Sequence, residues 1–152
     1  MKPNHMLKIG ELAKQTGSLV ETIRYYEREG LMPSPMRSEA NYRLYGGEHI
    51  ERLQFIRNCR SLDMTLNEIR RLLVLKDRPE QSCDEVNAVL DSHIGHVTRR
   101  IEDLKRLQNE MEALRRSCSK PETARDCGIL QALSRPEEAV PKKLGTHTLG
   151  CH

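Results

Sequence analysis

The chain has 152 residues, enough for one compact domain or a small domain joined to a long helical element, and too few for two large domains. With 31% charged residues, no Trp, four Tyr and one Phe, it lacks the makings of a thick aromatic core and favours solvated helices. The formal charge is +3 and the whole excess falls in the first 60 residues, which points mildly to a polyanion partner, while the absence of any long apolar run or apolar leader predicts a cytoplasmic protein that neither crosses nor binds a membrane.

The first element is read from "KIGELAKQTGSLVETIRYYEREG", where Ile9, Leu12, Ala13, Val20, Ile23 and Tyr26 keep helical spacing broken once at Gly17. Ala13 is small enough for a helix crossing, Gly17 suits the turn, and Ile23 anchors the second helix, so the pattern predicts a helix-turn-helix. Its second helix exposes Glu21, Thr22, Arg24, Tyr25 and Arg28. Pro33 and Pro35 stop that helix, and "NYRLY" alternates as a short strand, which predicts a β-hairpin wing. Residues 48–60 and 66–75 each carry an amphipathic helical pattern.

From 84 to 116 a 3-4 repeat runs through Leu90, Ile94, Val97, Ile101, Leu104, Gln108 and Met111 without a proline. So narrow a seam on so long a helix needs a partner helix, and a homodimer is the economical answer. A short polar loop, "CSKPETARDC", follows, and the tail after Leu133 mixes Pro, Gly and charge and is expected to be disordered. The boundaries expected are 1–76 for DNA binding, 77–117 for linker and dimerisation helix, 118–133 for a metal-binding loop and short helix, and 134–152 for the tail.

Five cysteines in a reducing compartment argue against a disulfide framework and for metal binding, redox chemistry or burial. Cys59, inside an amphipathic helix, reads as a small buried hydrophobe. Cys83, Cys118 and Cys127 stand instead in polar surroundings at the ends of the long helix. A straight helix across that span would separate Cys83 from Cys118 by roughly 52 Å. If two copies pack antiparallel, however, Cys83 of one subunit meets Cys118 and Cys127 of the other, and a two-fold dimer acquires two identical three-thiol sites. Soft thiolates favour Pb(II), Hg(II), Cd(II), Zn(II) or Cu(I). Lys120 and Arg125 are placed to offset the thiolate charge, and Pro121 to stiffen the loop. Cys151, beside His147 and His152, is read as an accessory metal ligand or, in preference, as having no role, and His93 and His96 as surface or seam residues.

For DNA, Thr22, Arg24 and Tyr25 on the second short helix and Arg37, Tyr42 and Arg43 on the wing can meet phosphates or base edges. A thiol redox sensor pairing Cys118 with Cys127 is the competing class, although the chain has neither a CxxC motif nor a βαβ pattern. No nucleophile, base and orienting group stand at a spacing that supports an enzyme.

These residues carry a likeness to a known family. "IGELAKQTGSLVETIRYYEREGLMPSPMRSEANYRLY" closely resembles the DNA-binding domain of the MerR family of transcription regulators, with "TIRYYE" and "NYRLY" its most distinctive pieces. A cysteine before the long helix is similar to the divalent-metal branch, and "FIRNCRSLDMTLNEIRRLL" and "CGILQALS" resemble the lead- and cadmium-responsive regulators within it. The spacing of Cys83, Cys118 and Cys127 is equally similar to the mercury sensors. The resemblance implies a mainly α fold: a winged helix-turn-helix, a long antiparallel coiled-coil dimerisation helix and a C-terminal metal-binding loop. It also implies a dimer that holds promoter DNA with or without metal. The bound inducer, Pb(II) or Cd(II), with Zn(II) and Hg(II) as alternatives, then distorts an overlong spacer so that RNA polymerase can engage both promoter elements.

Overall fold

The computed structural model describes residues 5–118 and 123–136. It is mainly helical, as the periodicity predicts, with one two-stranded sheet. Two compact units divide the chain, one running through Leu90 and the other beginning at Asp91.

In the first unit, α1 (Ile9–Thr16) and α2 (Val20–Arg28) form the helix-turn-helix. The Glu11 carboxylate accepts the Lys8 N–H at 2.8 Å and so satisfies a donor that the start of α1 leaves open. Gly17 ends α1 at φ 63°, a left-handed conformation that glycine adopts without penalty. A second constraint fixes this glycine: a Cβ there would run into the Arg57 guanidinium, which donates to the Thr16 carbonyl. Ala13 and Ile23 are buried, as the crossing requires. The strands β1 (Met36–Arg37) and β2 (Arg43–Leu44) pair antiparallel, Met36 opposite Leu44 and Arg37 opposite Arg43. Tyr45 extends the hairpin by bridging to Leu7, its N–H donating to the Leu7 carbonyl at 2.9 Å and its carbonyl accepting from Leu7 at 2.8 Å.

Two further helices close the core, α3 (Gly47–Ser61) and α4 (Leu66–Lys76). The start of α4 is a reciprocal cap written in "TLNE": Glu68 N–H donates to Thr65 Oγ1 at 3.2 Å, and Thr65 N–H to Glu68 Oε2 at 2.8 Å. Leu12, Ile23, Tyr45, Leu53, Ile56 and Ile69 are almost wholly shielded from solvent at the centre. Cys59 is buried, and burial pushes its thiol pKa up, in keeping with a packing role. Long-range ties lock the helices: Arg70 of α4 donates to the Glu29 carbonyl just beyond α2 at 3.0 Å, and Arg52 of α3 makes a two-pronged contact with Asp77 at 3.1 and 3.3 Å.

The long helix α5 (Asp84–Arg116) begins one residue after Cys83. Val86 and Val89 in its opening turns complete the core of the first unit, Val89 being almost fully buried. In the second unit the expected seam stands open to solvent: Ile94, Val97, Ile101, Leu104 and Met111 are all exposed. A 3₁₀ turn (Ala124–Asp126) and the short helix α6 (Gly128–Leu133) follow. The expected tail falls almost entirely on 137–152, outside the described residues.

Candidate nucleic-acid face and thiol site

In the first unit, Arg24 and Arg28 on α2 and Arg37 and Arg43 on the wing surround an open depression of about 470 Å³, with Glu27 and Ser34 between them. Arg24, Arg37, Tyr42 and Arg43 are exposed, whereas Thr22 and Tyr25 are half-buried, with the Tyr25 ring 6.0 Å from Tyr26. The wing is built to hold its shape. Ser38 Oγ accepts the Tyr42 N–H at 3.0 Å, Arg37 Nη1 donates to the Asn41 carbonyl at 3.1 Å, and Asn41 takes the left-handed conformation, φ 64°, that the turn demands. Lys8 Nζ stands 5.3 Å from the centre of the Tyr42 ring, adding a cation beside an exposed aromatic. Four guanidiniums on a helix and an adjoining hairpin make a surface suited to a phosphate backbone.

Sequence reasoning missed two residues here, Tyr45 and Glu27. Tyr45 is fully buried, its ring packed edge-on against His49 with centroids 5.2 Å apart. Its hydroxyl donates to Glu27 Oε1 at 2.6 Å, and Arg43 pairs with Glu27 Oε2 at 3.5 Å. Burial, followed by the hydrogen bond and negative charge of Glu27, pushes the Tyr45 pKa up to about 12.

Cys83 is exposed, and its carbonyl accepts the Asn87 N–H at 2.9 Å at the start of α5. It edges a groove of about 250 Å³ floored by Phe55, Leu72 and Val86, with Lys76 and Arg78 at the rim. In the second unit, Cys118 and Cys127 come together with their sulfurs 3.6 Å apart. Gly128 makes this approach possible, since a Cβ at that position would collide with the Ser117 carbonyl. The two thiols are unlike. Backbone N–H groups at the start of α6, that of Leu130 foremost, hold the Cys127 pKa below the usual thiol range, with the Cys118 thiol contributing next. Cys118 is raised, chiefly by that same hydrogen bond to Cys127. Among the described residues the cation acting on both sulfurs is Arg115 at the end of α5, rather than the expected Arg125, and its Nη1 donates to the Cys118 carbonyl at 3.3 Å. Lys120 and Pro121 lie outside the described residues.

The sulfur spacing fits a shared ion. Two thiolates about 2.3 Å from one metal at a tetrahedral angle stand about 3.8 Å apart, close to what is seen, whereas a disulfide requires about 2.05 Å. The described chain thus brings two of the three expected thiols to one point, and Cys83 belongs to the other unit.

A winged helix-turn-helix with an arginine-lined face, followed by a long helix with an open apolar seam, defines a DNA-reading transcription regulator rather than an enzyme. Comparison with known proteins makes this definite. The chain matches the profile described as MerR HTH family regulatory protein over residues 7–75 and the one described as MerR, DNA binding over residues 50–114. It is 50% identical to the HTH-type transcriptional regulator ZntR homolog of Haemophilus influenzae, covering 72% of this chain and 81% of that protein. Among solved structures, the transcription regulator PbrR691 from Ralstonia metallidurans CH34 in complex with lead(II) is 54% identical with a TM-score of 0.77, covering 85% of this chain and all of that one. MerR of Bacillus megaterium MB1 in complex with mercury(II) is 37% identical with a TM-score of 0.68, again over 85% of this chain and all of that one. The chain belongs to the MerR family of transcription regulators.

Proposed function

We propose that this regulator binds double-stranded promoter DNA as a homodimer in the cytoplasm and activates metal-resistance genes when Pb(II) or Cd(II) is captured by three thiolates, Cys83 of one subunit with Cys118 and Cys127 of the partner subunit. Thr22, Arg24, Tyr25, Arg37, Tyr42 and Arg43 are the residues assigned to DNA. The observation that carries the reading is the convergence of Cys118 and Cys127 at 3.6 Å, a preformed two-sulfur arm that still needs a third ligand. The exposed seam of α5 supplies the reason for a second copy.

Lead is favoured by the likeness to the lead(II)-bound relative and because Pb(II) accepts three thiolates alone, whereas Zn(II) usually asks for a fourth ligand. The mercury(II)-bound relative supports a second reading in which Hg(II) is the inducer. In either case the ion acts by favouring one arrangement of the paired DNA-binding units over another, so that the promoter is bent and untwisted and RNA polymerase engages it.

Complementation tests the shared site. Cys83→Ser homodimers lack one sulfur and Cys118→Ser/Cys127→Ser homodimers lack two, so neither activates transcription in response to Pb(II). Co-expressed, they form heterodimers with one complete site, and partial Pb(II) induction returns. No recovery in verified heterodimers would refute a site shared between subunits, and recovery with Hg(II) alone would move the inducer to mercury.

A further inference from the structure

The basic face holds one acid where a polyanion is expected to sit. Glu27 lies on α2 among Arg24, Arg28 and Arg43, and a carboxylate there repels the phosphates that the arginines attract. Its contacts supply a reason for keeping it. Arg43 and Tyr45 stand two residues apart on the extended wing segment and therefore project to the same side. Glu27 meets both, Oε1 accepting the Tyr45 hydroxyl at 2.6 Å and Oε2 pairing with Arg43 at 3.5 Å. Its side chain is only 14% exposed against 44% for Arg43, so the carboxylate is the fixed member and the guanidinium the reaching one.

Tyr45 cannot swing away to accommodate a different wing. Its backbone is bridged to Leu7 and its ring lies against His49. His49 in turn accepts the Gly46 N–H at Nδ1, 3.0 Å, which leaves Nε2–H to donate to the Pro33 carbonyl at 3.2 Å. The second helix of the helix-turn-helix and the wing are thus joined, at the face assigned to DNA, by one carboxylate that engages a fully buried tyrosine.

The geometry points to Glu27 as a positioning residue for DNA recognition. It fixes the offset between α2 and the wing, so that the helix and Arg43 reach their separate places on the duplex together, and it gives up some attraction for DNA of any sequence to do so. This inference rests on the DNA-binding reading of the same face and names the group that sets its register.

Full-length protein is used to select a binding duplex from a random-sequence pool, and a scrambled duplex of the same composition serves as the non-specific probe. Glu27→Ala loses both contacts and is expected to lower the ratio of selected to scrambled affinity about tenfold or more. Glu27→Gln keeps an acceptor for Tyr45 but frees Arg43. It is expected to lower the ratio less, to bind scrambled DNA more tightly and, with one negative charge per chain removed from beside the phosphates, to steepen the salt dependence. A purely stabilising side chain would change the melting temperature and leave the ratio and slope alone. If wild type enriches a duplex and both folded variants keep its ratio within twofold, the positioning role is overturned and DNA binding stands. If wild type enriches no duplex, the DNA-binding reading falls and takes the positioning role with it.

Discussion

Truncating the open seam of α5 should separate the subunits without unfolding either. Ile101 and Leu104 are each 48% exposed in the single chain, so about half of each side chain is available to be buried by a partner. Burying a whole Leu or Ile side chain is worth about 1.5–3 kcal/mol, and half of one therefore about 1 kcal/mol. Two residues on each of two chains then contribute about 4 kcal/mol to association, which is roughly a thousandfold in the dimer dissociation constant. Replacing both with Ala also improves helix propensity, so a loss of dimer cannot be attributed to a weaker helix. Sedimentation across a concentration series reads the dissociation constant, and circular dichroism checks that helix content is kept. The variant monomer would hold only the Cys118–Cys127 pair, so its Pb(II) affinity should fall in parallel with dissociation. A dissociation constant within tenfold of wild type would refute the seam as the dimer contact, and unchanged Pb(II) affinity in a proven monomer would refute the third ligand from the partner subunit.

The Gly128→Ala variant should force the start of α6 away from Ser117, parting the two sulfurs and weakening Pb(II) binding by an order of magnitude or more while leaving DNA affinity intact; unchanged metal affinity would show that the close approach is dispensable. Tyr45 should leave a mark on alkaline stability. Its pKa is raised from 10.0 to about 12, so the fold prefers the neutral phenol, and the stability this confers is complete below pH 10 and lost as pH climbs through about 12. The full amount is about 3 kcal/mol, and denaturant titrations between pH 9 and pH 12 should show wild type losing most of it relative to Tyr45→Phe. Parallel stability profiles for the two proteins would contradict the burial of the Tyr45 hydroxyl and its hydrogen bond to Glu27 as the cause of the shift.

Elements written in local periodicity were legible before the structure. The break at Gly17, the prolines after α2 and the 3-4 repeat each act over a few residues, and each produced the element it announces. What could not be read was the partner of a charged side chain when that partner is distant in the chain. Arg57 donates to Thr16 and Arg70 to Glu29, each across 41 residues, and nothing in the charge pattern singles out these two arginines from the others. Glu27 shows the cost of counting charge without position: a tally subtracts it from the basic face, while the structure makes it the joint between helix and wing. The thiols teach the same lesson from the opposite direction. Residue type alone marked Cys118 and Cys127 as candidate ligands, and it also nominated Lys120 and Arg125 as their counter-charges because those residues share their loop. A helix that runs on to Arg116 changes the geometry, since it sets Arg115 three residues before Cys118 and within reach of its carbonyl, so among the described residues the cation that acts on the sulfurs is supplied by the end of the helix.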